Sequence, residues 1–496
     1  MSKKSLLVLV CIMGIHGYAH AADQLPTDLN KLTATEAAQM ICKKQITSEQ
    51  LIRAYLNKIQ SHPNLNAFIS VNPDRAIAEA KAWDKKQTTS SGCLPLGGVP
   101  VAVKDNTQVI GFPNTAGTPA LAHFMPKTTA PVIQKLIDAG AIVIGKTNMH
   151  ELAYGATGYN TAMHMPGIVG VRNAYDSSRI PGGSSSGSAV AVAAGMVPIA
   201  MGTDTGASVR QPCALNGCVG FRPTTGRYSQ QGITPISHTR DTAGPMAHTV
   251  ADVALMDHVI SGAEILPPAE PQHIRLGISP YFWQGLDKDV SENAHRALQK
   301  LREAGVELVV TEMPGLEQAN VAVSLPVVVY EGKHDLIKYL SDNQTGVSFE
   351  QVAAKVSSPD VKAIFDHALI PQTVVDANGS IVPAEVVHQK AVTEGLPHLL
   401  NIYKRAFANN RLDGLIFPTS PVIAPLADDK VSSGAEFAKL IHNTDPGSNI
   451  RLPGLSIPAG LGAQTHMPVG IEIDGLPGDD AKILAIGATV ENIIKE

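Results

Sequence analysis

Hydrophobic positions recur with a helical period near the start of the chain. Thr33-x-x-Glu36 and Thr47-x-x-Gln50 both have capping-box spacing. After the second box, Leu51, Ile52, Tyr55, Leu56 and Ile59 form one apolar stripe, which predicts an amphipathic helix. The period then changes to two. Val99, Val101 and Val103 alternate with small or rigid partners in "GGVPVAVKDN", the pattern of a short strand packed on at least one face. "APVIQKLIDAG" predicts a helix closed by Gly140, and "AIVI" the strand that follows it. Such alternation is α/β logic. A Pro-rich break, "ILPPAEPQ" (265–272), interrupts it before a strand "IRLGIS", a helix "SENAHRALQKLREAG" and a strand "VELVV". The stretch from about 325 to 412 leans helical with no sharp period, and "RLDGLIFPTSPVIAPL" returns to strand and loop.

The first residues differ in kind. "MSKK" is a basic lead, "SLLVLVCIMGI" a short apolar run, and Ala19-His20-Ala21 a small-x-small cleavage site. This predicts a secretory leader over residues 1–21, too short and wrongly flanked for a membrane span, and an exported mature chain of residues 22–496, periplasmic or secreted. No later stretch is long and apolar enough to insert in a bilayer. The 496 residues carry a mild net charge of −5 and no basic run, which argues against nucleic acid as a partner. Leader removal leaves Cys42, Cys93, Cys213 and Cys218. They match no zinc spacing and are too sparse for a disulfide scaffold, so buried free thiols are the expectation.

Two motif matches fail on context. "GAIVIGKT" fits the phosphate-loop pattern letter for letter, but its middle residues are the predicted strand rather than a backbone-exposing turn. "GSSSG" fits a nucleophile elbow around Ser185, yet "RNAYDSSRIPG" before it is polar and irregular where an elbow needs a buried strand.

The chemistry gathers between Pro181 and Cys213, "PGGSSSGSAVAVAAGMVPIAMGTDTGASVRQPC". Serines at 184–186 stand where an Ala/Val helix begins. A helix of about 12 residues spans roughly 18 Å. A following strand of about six residues covers roughly 20 Å. A strand folded back along that helix brings Ser208 near Ser184 and lets the amides of Thr205, Gly206 and Ala207 face a common point. A serine hydroxyl needs a base, and none of the 17 histidines lies in these motifs. Lys104, closing an apolar strand, pairs with Asp105 or snorkels to water on the ordinary reading. On the other, burial lowers its pKa and makes it that base.

"GVPVAVKDN", "GKTNMHELAYG", "PGGSSSGSAVAVAAG" and "GTDTGASVRQPCALNGCVGFRPTTGR" resemble the amidase signature family in order and spacing, as do "FPTSPVIAP" and "LPGLSIPAGLGAQTHMPVGIEIDG". The resemblance implies one large α/β domain, a mixed central sheet covered by helices on both faces. It implies a triad of Ser208 as nucleophile, Ser184 after a cis peptide bond as proton relay, and Lys104 as base. The amides of Thr205, Gly206, Ala207 and Ser208 would form the oxyanion hole, with no metal and no cofactor. Asp204 and Arg210 flank the nucleophile; either could touch substrate, and the favoured reading of the residues is a structural ion pair that shapes the loop. Ala207 stands where many members have glycine, a less comfortable residue if the backbone there is left-handed. "GFRPTTGRYSQQGITPISHTRDTAGPMAHTVADVALMDHVISG" is similar to the branch of indoleacetamide and mandelamide hydrolases. That implies a small-molecule partner, a primary amide of arylacetamide type, with Ala153 and Tyr154 near its acyl side and residues 325–412 over the pocket. An esterase, a lipid-amide or a peptide-amide hydrolase would use the same triad; an exported binding protein would need that triad broken.

Overall fold

The strand ending in Lys104 lies inside an eleven-stranded sheet in the computed structural model, which describes residues 28–87, 92–375 and 379–495. The leader read over residues 1–21 lies outside the described residues. The first eight strands are β1 (Phe68–Val71), β2 (Pro100–Lys104), β3 (Ile142–Thr147), β4 (Ile199–Asp204), β5 (Val219–Arg222), β6 (Thr242–Ala247), β7 (Arg275–Ile278) and β8 (Glu307–Val310). A separate hairpin of β9 (Thr373–Val375) and β10 (Ile381–Pro383) precedes β11 (Gly414–Pro418), β12 (Gly454–Leu461) and β13 (Pro468–Asp474). The sheet runs β1-β3-β2-β4-β6-β5-β12-β13-β11-β7-β8. β2 is parallel to β3 and β4, and β7 to β8 and β11, while the other neighbours are antiparallel.

Every residue of β2, β3, β4, β6 and β13 is buried. Side chains alternate faces along a strand, so full burial requires cover on both sides of the sheet. The expected local signals form. Both capping boxes close at the N-termini of helices Ala34–Cys42 and Ser48–Ser61, and Leu51, Ile52, Tyr55 and Leu56 bury their stripe. "GAIVIGKT" is strand β3. Its Lys146 is buried in an ion pair with Asp105 at 3.2 Å rather than facing a phosphate.

Three expectations need correction. The Ala/Val helix spans only Ser186–Ala193, because Gly195 takes a left-handed turn at φ +62° and ends it. The segment read from 325 begins inside a helix, Leu316–Asp342, that carries Pro326 in its interior. The cysteines are not free thiols: Cys42 pairs with Cys93 and Cys213 with Cys218. Their Cα separations of 5.7 and 4.6 Å lie in the disulfide range. Cys213 lies inside the short helix Arg210–Asn216 and Cys218 just past its end, a separation of 5 residues, whereas the first pair joins segments 51 residues apart.

Candidate active site

Lys104 ends β2 with no exposed surface. Its Nζ lies 2.8 Å from Ser184 Oγ, 2.8 Å from Thr203 Oγ1 and 3.3 Å from the Thr203 carbonyl. The parallel register of β2 with β4 produces this placement, since Val103 stands opposite Met201. Asp105 is not the partner; it belongs to Lys146. Burial pulls the Lys104 amine down to about 7, against the opposing pull of the Asp204 and Asp241 carboxylates. A neutral amine has two N–H donors and one lone pair. The two oxygens of Thr203 can take both donors of a neutral amine, which leaves its lone pair for the Ser184 hydroxyl.

Three consecutive serines take three separate jobs. Ser184 follows the cis peptide bond Gly183–Ser184 and meets Lys104. Ser185 Oγ donates to the Thr203 carbonyl and accepts from the Thr203 amide, both at 3.1 Å. It is a buried strut between helix and β4, and not the nucleophile of an elbow. Ser186 is the first residue of the helix. The Ser185 amide donates to the Ser208 carbonyl at 3.1 Å, so β4 does return the chain to the start of the helix.

The loop after β4 is held from behind. Asp204 pairs with Arg210 at 3.1 Å and with Arg222 at 3.0 Å, all three fully buried. Burial works to raise the Asp204 pKa, but the two guanidinium groups prevail and hold the carboxylate well below its usual range. Arg210 also reaches Glu472 and Ser448 Oγ. Every carbonyl from Thr205 to Ser208 accepts a hydrogen bond: from Arg240 at 3.0 Å, Arg210 at 3.2 Å, the Gln211 amide at 2.9 Å and the Ser185 amide at 3.1 Å. The amides of Gly206, Ala207 and Ser208 have no partner among the described residues. Buried or half-buried N–H groups are rarely left unpaired, and three in succession beside a serine form a ready receptor for a negative oxygen. Ala207 is absent from the left-handed residues of the chain, so the strain expected for alanine there does not arise.

Thr205 to Ser208 form one wall of a cavity of about 420 Å³. Ala153 and Tyr154 line it as well. Leu152 and Ala153 both adopt left-handed backbone, at φ +51° and +64°, a costly geometry for side-chain-bearing residues that concentrates at functional sites. Tyr154 packs edge-on to Phe365 at 5.7 Å. Val321, Leu325, Val328 and Ile364 give the cavity an apolar side. Arg240, Asn320 and Asp445 also line it and carry no signal in local sequence, because they meet only in the folded chain. One set of side chains, His238, Glu331 and Asp335, has the spacing of metal ligands. Its donors are already engaged: His238 bonds Asp335, and Glu331 accepts from Ser237, Thr239 and His388.

The family model described as Amidase matches residues 50–484. The chain is 49% identical to mandelamide hydrolase of Pseudomonas putida over 471 residues, covering 95% of this chain and 92% of that protein. It is 38% identical to indoleacetamide hydrolase of Agrobacterium vitis, covering 92% and 96%. A crystal structure of an amidase superposes with a TM-score of 0.79 at 30% identity, over 93% of this chain and 99% of the other.

Proposed function

The chain belongs to the amidase signature family and is an amidase; from that premise we propose that it hydrolyses a primary carboxamide of arylacetamide type to carboxylate and ammonia through an acyl group on Ser208. The observation that carries the reading is the Lys104–Ser184 contact of 2.8 Å, with the loop of unpartnered amides at residues 206–208 tied to the same place by the Ser185 amide, which donates to the Ser208 carbonyl at 3.1 Å. Ser208 Oγ attacks the amide carbon. Its proton passes to Ser184 as the Ser184 proton passes to Lys104 Nζ. The oxygen of the tetrahedral adduct is held by backbone amides of the loop from Thr205 to Ser208. The C–N bond then breaks as the proton returns by the same route to the leaving nitrogen, releasing ammonia. Water attacks the ester carbon as its proton passes through Ser184 to Lys104; the bond from that carbon to Ser208 Oγ then breaks, Ser208 Oγ takes the proton back by the same route, and the acid leaves as its carboxylate. The likeness to mandelamide and indoleacetamide hydrolases supports an aryl acyl group, and the apolar side of the cavity suits one.

The protein acts outside the cytoplasm in this reading. The leader pattern in residues 1–21 supports it, and so do two paired sets of cysteines, which persist in oxidising compartments.

Purified residues 22–496, incubated with indoleacetamide, mandelamide, phenylacetamide, an aliphatic amide and a peptide amide, should release ammonia fastest from the arylacetamides. Mass spectrometry of quenched reactions should find the acyl group on the peptide containing Ser208. Turnover with no adduct there, or preference for the aliphatic amide, would refute the proposal. Cell fractionation should recover the protein without residues 1–21, and full-length protein in the cytosol would refute export.

A further inference from the structure

We infer that Arg240 is a positioning residue for the oxyanion amides, and that it couples their aim to the wall that receives the acyl group. The inference rests on the reading that the loop from Thr205 to Ser208 receives the negative oxygen.

Arg240 is 3% exposed and divides its guanidinium among three walls of the cavity. Nε donates to the Thr205 carbonyl at 3.0 Å. Nη1 reaches the carbonyl and Oγ of Ser324, each at 3.3 Å. Nη2 donates to Asp445. The far oxygen of Asp445 accepts from Asn320 at 2.9 Å and from Asn449 at 3.2 Å.

A trans peptide is planar, with its C=O and N–H on opposite sides. A Thr205 carbonyl turned toward Arg240 therefore aims the Gly206 N–H away from it. The next plane repeats the device, since Arg210 holds the Gly206 carbonyl and so directs the Ala207 N–H. The two arginines differ in what else they touch. Arg210 is locked in the interior by Asp204 and Glu472. Arg240 is bonded to Ser324, and through Asp445 to Asn320, both on the helix Leu316–Asp342 whose Val321, Leu325 and Val328 face the cavity. An acyl group pressing on that helix bears on the group that aims the Gly206 amide. Fit is then expressed in the chemical step more than in ground-state binding. The arrangement requires a planar fork with separated donors, which lysine cannot supply. Glycine at 206 leaves the guanidinium room, since a Cβ there would press on Arg240 Nη2 at 3.2 Å and touch Asp445 at 3.6 Å.

The test uses Arg240→Gln, Arg240→Lys and Asp445→Asn in the mature chain, on the best amide substrate. Each is measured for kcat, KM, melting temperature, affinity for the matching aryl trifluoromethyl ketone, which forms an oxyanion on serine, and affinity for the arylacetate product. Arg240→Gln should lower kcat by about 10²-fold with KM within about threefold. Ketone affinity should fall in parallel with kcat/KM while arylacetate affinity holds; the melting temperature should drop, since Asp445 stays buried without its cation, and the kinetics are read well below it. Arg240→Lys should recover little, and Asp445→Asn should give a smaller kcat loss. An unchanged kcat, an unchanged ketone affinity, or a rise in KM alone would overturn the inference, the last by making Arg240 a substrate contact. If Arg240→Gln does not fold, an Asp445→Asn enzyme with wild-type kcat overturns it. A wild type with neither turnover nor a Ser208–ketone adduct refutes the functional reading and this inference with it, whereas an active wild type with indifferent variants refutes the inference alone.

Discussion

The Lys104 amine meets the Ser184 hydroxyl at 2.8 Å in a place with no water-facing surface. Burial holds this amine near 7, and only its unprotonated form can accept a proton from Ser184. The rate should therefore be level above pH ~7 and fall about tenfold per unit below it, as the ammonium forms. A profile of kcat/KM on one amide between pH 5 and 9 measures this. A rate that stays flat down to pH 5 would exclude Lys104 as the base.

The same burial makes Lys104 a cost to folding. In the unfolded chain the amine is protonated up to its ordinary value of 10.5, whereas in the fold it has lost half its protons by about 7. Between those values the unfolded state binds more protons, so stability from this group rises with pH. The penalty is largest at pH 7 and below, about 4–5 kcal/mol at most, and vanishes above 10.5. Lys104→Met removes it but leaves Thr203 and Ser184 short of a partner, which offsets part of the gain. The variant should be inactive yet more stable than wild type by about 1–3 kcal/mol at pH 7. Denaturant unfolding of both proteins at pH 7 and pH 10 checks this. An advantage that grows toward pH 10 would contradict a depressed amine.

How much of this was legible depends on range. The β2 strand is written in three alternating valines, and the helix starts in two capping boxes, signals spanning a few residues each. The return of the chain at Ser208 to the start of the serine-led helix was legible too, from a helix followed by a buried strand, and is seen in the Ser185–Ser208 backbone bond. The Arg240–Asp445 and Asn320–Asp445 contacts bridge more than a hundred residues and leave no local mark. The disulfide from Cys42 to Cys93 is hidden for the same reason. The stretch from about 325 to 412 shows no sharp period because its helices, the first with Pro326 in its interior, are held by tertiary packing.

The paired cysteines give a direct count. Oxidised mature protein, denatured without reductant, should show no thiol to Ellman's reagent, and four after reduction, from Cys42, Cys93, Cys213 and Cys218. Four before reduction would restore the free-thiol expectation. The first bridge closes a sequence separation of 51 and the second of 5. Loop entropy then makes replacing the first pair by serines cost about 4 kcal/mol, and the second about 2.

Helix Ser186–Ala193 can stand where it does only because residue 187 has no side chain. A Cβ on Gly187 would collide with the backbone carbonyl of Ala67 and lie 2.6 Å from the Asn148 carbonyl and 2.7 Å from its amide. These are backbone atoms, so no rotamer can relieve the contact; the helix must move. Its first turn follows Ser184 and Ser185, whose bonds to Lys104 and Thr203 set the site. Gly187→Ala should therefore destabilise by about 3 kcal/mol or more and take the activity with it. Gly434 is the control. It opens the exposed helix Gly434–Ile441, has nothing within 4 Å of its Cβ position, and is not left-handed. Gly434→Ala should be neutral or stabilising by about 0.5–1 kcal/mol through the unfolded chain alone. Urea midpoints of the two variants decide the matter: if Gly187→Ala melts with wild type and keeps its kcat, the close packing that places Ser184 is wrong.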